Sequence, residues 1–215
     1  MRSEIGRLAA RAAILMLSAL LLAVSAACTD GPDRSVSTNG ATGVSDNEIL
    51  IGSSCALSGR AAFLGTQALH GMLSFIRQVN EEGGVHGRRI RLIALDDAYD
   101  PARCVFNTQQ LIGEDRVFAL TCYVGTPTTA KIIPLVEEAR IPLIGLVTGA
   151  AIFQEPFRPN IINIRASYYA ETDEAVRHFV EDLGIRKLAI FYQHDEYGFD
   201  GLTGTQRALN RYGLG

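Results

Sequence analysis

The residue types that most often carry out covalent chemistry are present in this sequence, but their spacing does not fit a catalytic site. Ser54 lies at the centre of residues 52–56, which resemble a nucleophile elbow but lack its final glycine. Neither a Walker loop nor a Gly-x-Gly-x-x-Gly sequence follows a predicted strand. The four histidines lack the spacing of metal ligands; they are His70, His86, His178 and His194. The sequence therefore predicts no enzyme, no cofactor and no bound metal.

Small polar residues follow the predicted strands, where a ligand would be bound without covalent chemistry. The loops are rich in serine, threonine and glycine, which allow a ligand to approach the backbone closely. In open α/β sheets, ligands bind at the carboxyl ends of the strands. The loops of interest are residues 53–59, 96–101, 123–129, 148–150 and 194–198.

Short apolar runs alternate with helical segments along most of the chain. The runs are continuous rather than alternating, which is typical of strands covered on both faces of a parallel sheet. Between them, apolar residues recur at three- and four-residue steps, as in amphipathic helices. This order predicts an α/β fold with a doubly wound parallel sheet. The predicted strands are residues 49–51, 90–95, 117–120, 142–147, 161–164 and 188–192.

The composition excludes several classes of protein. The 215-residue chain is 47% hydrophobic and 20% charged, which is typical of a globular protein and not of a disordered one. Its net charge of -3, with no basic block, makes nucleic acid an unexpected partner.

The N-terminus has the layout of an export signal. Arginines precede a run of 13 mainly apolar residues, which is too short to span a bilayer, and small residues follow it. We therefore predict a signal peptide at residues 1–27. Cys28, directly after these small residues, resembles the acylated cysteine of a bacterial lipobox, although Ser25 stands where leucine is usual. Cleavage without lipidation stays an alternative. Residues 28–47 are predicted to be a flexible tether, and the product is expected outside the cytoplasm, anchored to the membrane by lipid.

The three remaining cysteines of an exported chain would meet an oxidising compartment. Cys104, in the first turn of a predicted helix, and Cys122, at the end of the third predicted strand, are expected on the same rim of the sheet. We therefore expect a Cys104–Cys122 disulfide. A Cys55–Cys122 disulfide is the alternative, because the first and third strands should be neighbours, and three free buried thiols are a third.

Several loop sequences, taken together, resemble type I periplasmic solute-binding proteins, the family that serves ABC transporters for leucine, isoleucine, valine and small amides. The resemblance covers nearly all of the chain from Glu48, and the Asn-Glu-Glu-Gly-Gly-Val-His-Gly-Arg-Arg turn followed by the Asp-Asp loop is specific. The matching stretches are residues 56–59, 79–88, 95–101, 124–128 and 197–198.

The resemblance implies two lobes that close on a small ligand, an amino acid or amide, and deliver it to an ABC permease. A first α/β lobe is expected at residues 48–166 and the start of a second at residues 167–215. By resemblance, the ligand carboxylate is held by the Thr126 hydroxyl and by backbone groups, and Tyr197 closes over it. The backbone groups are those of Val147, Thr148 and Gly149. Ser58 is expected either to bind ligand or to cap the first helix, and Tyr168 and Tyr169 to line the cleft.

The resemblance also implies that the second lobe is incomplete, since the chain stops at Gly215 where another strand is expected. The chain is therefore expected to be a fragment that binds amino acids weakly or not at all. A ligand-sensing module of a signalling receptor and a non-functional fragment are the alternatives to a transport protein.

Overall fold

A computed structural model describes residues 40–215, and these residues form one parallel sheet covered by helices. All strand pairs are parallel, and the order in the sheet is β2-β1-β3-β4-β5. The strands are β1 (Glu48–Cys55), β2 (Arg89–Asp96), β3 (Ala119–Thr121), β4 (Leu143–Ile144) and β5 (Ile161–Ile162). The α/β prediction with a doubly wound parallel sheet is confirmed. The predicted signal peptide, Cys28 and most of the predicted tether lie outside the described residues.

Helices connect successive strands and cover the sheet. Their bounds are α1 (Ala62–Glu81), α2 (Pro101–Gly113), α3 (Thr126–Ala130), α4 (Ile133–Ala139), α5 (Tyr168–Arg177) and α6 (Glu196–Arg211), with a 3-10 turn at Ala151–Phe153 and a π-helical turn at His178–Asp182. Their ends follow from local chemistry. Asp100 caps α2 by accepting hydrogen bonds from the N–H groups of Ala102 and Arg103, and Pro101 occupies the first turn. None of the helices among these residues is long and apolar enough to cross a membrane.

The core lies between the sheet and the helices of the first lobe. Leu111 of α2, Leu120 of β3 and Leu143 of β4 have no exposed surface. Tyr123 is equally buried, and its hydroxyl forms a hydrogen bond with the Thr108 hydroxyl, with the two oxygens 2.9 Å apart. This core fixes the strand ends, and hence the loops that follow them.

The last two helices bury a small apolar cluster of their own. Helices α5 and α6 pack together over Val176, Val180 and Ala208. The sixth predicted strand, residues 188–192, is not a strand in the structure. Residues 186–192 form no backbone hydrogen bond within the described chain, because no neighbouring strand is present to pair with them.

The predicted tether extends too far toward the sheet. Leu50 donates its N–H to the Gly43 carbonyl at 2.7 Å, and Val44 forms an antiparallel bridge with Ile49. Arg88 also donates to the Ser45 carbonyl at 2.8 Å. These contacts attach residues 43–47 to the sheet, so the part of the chain that packs on the sheet begins before Glu48.

The predicted Cys104–Cys122 disulfide is not formed, nor is the Cys55–Cys122 alternative. All three cysteines are free and buried. The Cys104 thiol lies among Asp97, Ser54 and Thr108 rather than against Cys122. Desolvation raises the pKa of Cys55 to about 11 and that of Cys104 to about 12, which disfavours the thiolate that disulfide exchange requires.

Candidate functional site

A cavity of about 670 Å³ lies at the carboxyl ends of the strands, where the loops that follow them meet residues 165–201. Its lining comes from the loops that follow the five strands, from α1 and α5, from the segment before α6 and from the first turns of α6. Such a cavity is of the size that small-molecule sites usually have. Of the predicted ligand-binding residues, it is lined by Thr126, Val147 and Tyr197.

Thr126 is positioned by a buried hydrogen bond to Thr148. The two hydroxyl oxygens are 2.7 Å apart. The Thr148 hydroxyl also accepts hydrogen bonds from the Ala150 N–H at 3.2 Å and from the Tyr168 hydroxyl at 3.3 Å. A hydroxyl has two lone pairs and one proton, so Thr148 has its proton left to donate to Thr126. The Thr126 proton is then free to be donated to a ligand.

Two of the predicted backbone groups already have partners within the protein. The Val147 N–H is already used, because it donates to the Tyr123 carbonyl at 2.9 Å. The Gly149 carbonyl accepts from the Tyr168 N–H at 2.8 Å. A side chain at Gly149 would collide with the Ala166 carbonyl, so this position requires glycine for packing. Thr148 and Gly149 do not line the cavity but support the residues that do.

Ser58 lies outside the cavity, and neither of its expected roles is observed. Its hydroxyl donates to the Asp96 carboxylate, and the N–H groups of Ser58 and Leu57 donate to the same carboxylate at 3.1 and 2.8 Å. Helix α1 begins later and is capped at Ala61 without a side-chain hydrogen bond. The reason is that the neighbouring strand β2 ends in a carboxylate that holds the loop after β1.

The two tyrosines at the crossing between the lobes differ in role. Tyr168 lines the cavity, and its ring packs edge to face against that of Tyr197, with centroids 5.2 Å apart. Tyr169 does not line the cavity. Its hydroxyl donates to Asp200 at 3.3 Å, and Arg207 stacks on its ring at 4.4 Å.

Tyr99 is a cavity residue that the sequence did not single out. The side chain of Asp96 accepts from the Ala98 N–H at 2.9 Å and that of Asp97 accepts from the Tyr99 N–H at 2.8 Å. These bonds hold Ala98 and Tyr99 at positive φ, 51° and 63°. The turn places the Tyr99 ring directly against Gly125, where no side chain would fit. The only signal was its position in a loop that follows a strand.

The pKa values of the two adjacent carboxyls in this turn, Asp96 and Asp97, are shifted in opposite directions. Desolvation raises the pKa of the buried Asp97 above its ordinary value, and the bonds from Tyr99 and Ser54 do not offset it. Desolvation acts in the same direction on Asp96, but there the hydrogen bonds from Ser58, Ala98 and Leu57 outweigh it and hold the pKa below the ordinary value. Asp96 is therefore an anion that organises the rim of the cavity.

Charged residues of the cavity wall were also missed. Arg60 stacks over the Tyr99 ring, with its guanidinium carbon 5.2 Å from the ring centroid. Arg165 is ion-paired with Glu171 and lies over the Tyr168 ring at 5.4 Å. Among residues 40–215, no group of three histidine, cysteine or acidic side chains is arranged to hold a metal.

Comparison with known proteins agrees with this architecture. In solved structures, a protein from Rhodopirellula baltica SH 1 described as a possible leucine/isoleucine/valine-binding protein is 37% identical with a TM-score of 0.74, covering 80% of this chain and 47% of that one. A substrate-binding periplasmic protein from Ralstonia solanacearum is 32% identical with a TM-score of 0.73, covering 78% and 47%.

A curated relative, the amino acid binding protein of Pseudomonas aeruginosa, is 25% identical over 169 residues, which are 78% of this chain and 45% of that protein. The chain therefore spans just under half the length of these relatives. The family model described as periplasmic binding protein matches residues 48–215. This chain belongs to the periplasmic binding protein family.

Proposed function

We propose that this chain captures a small organic solute outside the cytoplasm for delivery to an ABC permease, and its relatives indicate the amino acid or amide class. The observation that carries the proposal is the cavity that Thr126 lines from the loop after β3 and Tyr197 from the first turn of α6. The relatives support the class of solute, because several are Leu/Ile/Val-binding proteins. A neighbour of 23% identity is in complex with 4-hydroxybenzoate, so carboxylates other than amino acids also bind to this fold.

The proposed mechanism is closure of the lobes without covalent chemistry. Residues 48–166 act as one lobe and residues 167–215 belong to the other. A ligand that touches both lobes favours their closed arrangement by the difference in its contacts between the open and closed states. Thr126 donates a hydrogen bond to the ligand carboxylate, and Tyr197 covers the ligand from the second lobe.

The proposal is tested by titrating the chain with leucine, isoleucine, valine and their amides. Ligand-observed NMR detects the binding of each solute. The sequence alone predicts weak or no binding, whereas the cavity supports binding. We therefore expect at least one solute to bind and to reduce the radius of gyration measured by small-angle X-ray scattering. The Tyr197→Ala variant should bind more weakly, because Tyr197 is 45% exposed and contacts the ligand rather than the core. Binding that is unchanged in this variant would contradict the assigned site.

We also propose that residues 1–27 are removed on export and that Cys28 is acylated, which would keep the tethered lobes at the membrane surface. Labelling of cells with a radioactive fatty acid tests this directly. The chain should become labelled and the Cys28→Ala variant should not. Labelling that persists in the variant would place the lipid elsewhere.

A further inference from the structure

Positively charged side chains outnumber negatively charged ones among the described residues that line the cavity. The charged residues of this lining are Arg60, Arg165 and Glu171. Glu171 is paired with Arg165. Arg60 forms no ion pair and no hydrogen bond with any other residue among 40–215. A guanidinium is always protonated, so the described residues that line the cavity carry one more positive than negative side chain.

The wall around this charge is largely aromatic. The Tyr99 ring lies beneath Arg60, and Tyr168 and Tyr197 form an edge-to-face pair. Phe63 and Phe191 also line the cavity, and their side chains are 80% and 103% exposed. Rings of this kind offer flat apolar faces, and they prefer offset or edge contacts with another ring. The cavity is therefore suited to a planar ligand.

We infer that the preferred ligand is an aromatic monocarboxylate, a ring bearing one carboxylate and no ammonium group, rather than a branched-chain amino acid. The inference rests on the proposed function, since it concerns the solute captured in that same cavity. A single negative charge balances Arg60, and the ring packs among the tyrosines. A zwitterion also brings an ammonium group, and the one carboxylate that lines the cavity among residues 40–215, Glu171, is already bound to Arg165.

Arg60 is the specificity-determining residue of this scheme. Stacking on Tyr99 restricts the guanidinium at the cavity wall, where it can form a charge-assisted hydrogen bond to the ligand carboxylate. Thr126 lines the same cavity and donates a neutral hydroxyl. Thr126 therefore recognises any carboxylate, whereas Arg60 favours the ligand whose net charge is negative.

Three probes separate charge from ring shape: benzoate, the neutral isostere benzamide, and leucine. Ligand-observed NMR titrations of the chain should give benzoate an affinity at least about tenfold higher than those of benzamide and leucine. The Arg60→Gln variant should lose about tenfold in benzoate affinity and leave benzamide unchanged. Arg60 is exposed, so its replacement should not affect folding. Arg89→Gln, an exposed arginine on β2 that does not line the cavity, is the matched control and should bind all three probes like the parent chain.

Each outcome has a distinct meaning. Leucine that binds as tightly as benzoate, or an Arg60→Gln variant with undiminished benzoate affinity, overturns the inferred ligand class while leaving solute capture intact. Benzamide that equals benzoate shows that the ring alone is recognised and overturns the role of Arg60. If none of the probes and none of the amino acids bind, the proposed function fails, and the inference fails with it.

Discussion

Thr126 and Thr148 place their hydroxyl oxygens 2.7 Å apart, although 22 residues separate them in the chain. The contact joins the loops after β3 and β4, which the parallel sheet brings side by side. Because Thr148 accepts from two other groups, its proton is directed to Thr126. Thr148 does not line the cavity, but it determines that Thr126 accepts its hydrogen bond and keeps a proton to donate into the cavity.

Two substitutions at Thr126 should separate the contribution of the hydroxyl to ligand affinity from that of the side-chain shape. Thr126→Val keeps the volume but removes the donor, and we expect a loss of about tenfold or more in affinity for a carboxylate ligand. Thr126→Ser retains the hydroxyl and should stay within a few-fold of the parent chain. Titration of both variants with one carboxylate probe makes the comparison. Equal losses in the two would show that the methyl group, not the hydroxyl, matters.

Thr148→Val should destabilise the protein, because the buried Ala150 N–H and Thr126 hydroxyl lose their partner. We expect the free energy of unfolding to fall by about 1–3 kcal/mol, as for other buried polar groups left unsatisfied. Urea denaturation followed by circular dichroism measures this. Thr66→Val is a suitable control, since its hydroxyl bonds only to carbonyls within its own helix α1. A loss at Thr148 no larger than at Thr66 would contradict the network.

Asp97→Asn should remove a pH dependence of stability. The pKa of Asp97 is raised in the folded state, so the folded protein holds this proton more tightly than the unfolded chain. Stability is then greatest below the unfolded pKa of about 4 and is lost as the pH rises through the folded value. We expect the variant to gain stability relative to the parent chain as the pH increases from about 4 to 7. Urea titrations across this range test it, and a difference that is constant with pH would exclude the effect.

Asp200→Asn should weaken the attachment of α6 to the first lobe. The Asp200 carboxylate accepts from the Ala151 N–H at 2.8 Å and from the Tyr169 hydroxyl at 3.3 Å. Loss of the charge weakens these bonds, and we expect a larger radius of gyration in small-angle scattering together with weaker ligand binding. Asp173→Asn is the matched control, because its ion pair with Arg211 joins α5 to α6 within the second lobe. If both variants expand equally, the contact to Ala151 has no special role.

The three buried cysteines should resist labelling in the native protein. Their burial raises each thiol pKa, so little thiolate is present at pH of about 8. We expect a thiol reagent such as Ellman's reagent to modify Cys55, Cys104 and Cys122 only after denaturation. Peptide mapping by mass spectrometry without reduction gives the pairing. Recovery of a linked Cys104–Cys122 or Cys55–Cys122 peptide would contradict the structure.

The α/β class could be predicted because it depends on local patterns. Continuous apolar runs such as residues 117–120 are typical of strands in a parallel sheet, and the helical periodicity between the runs leaves such a sheet as the consistent arrangement. Five of the six predicted strands are present. The sixth, residues 188–192, has the same local pattern, but a strand requires hydrogen-bonded neighbours, which periodicity cannot supply.

The sequence by itself determined the fold and the loops that surround the cavity, because short-range propensity and the topology of parallel sheets fix where strands end. Only the tertiary structure decided which residues of those loops face the ligand. Asp96 draws Ser58 away from the cavity, whereas Arg60, two residues later, lines it. That choice depends on a carboxylate 38 residues away in the chain, and no local pattern carries such a contact.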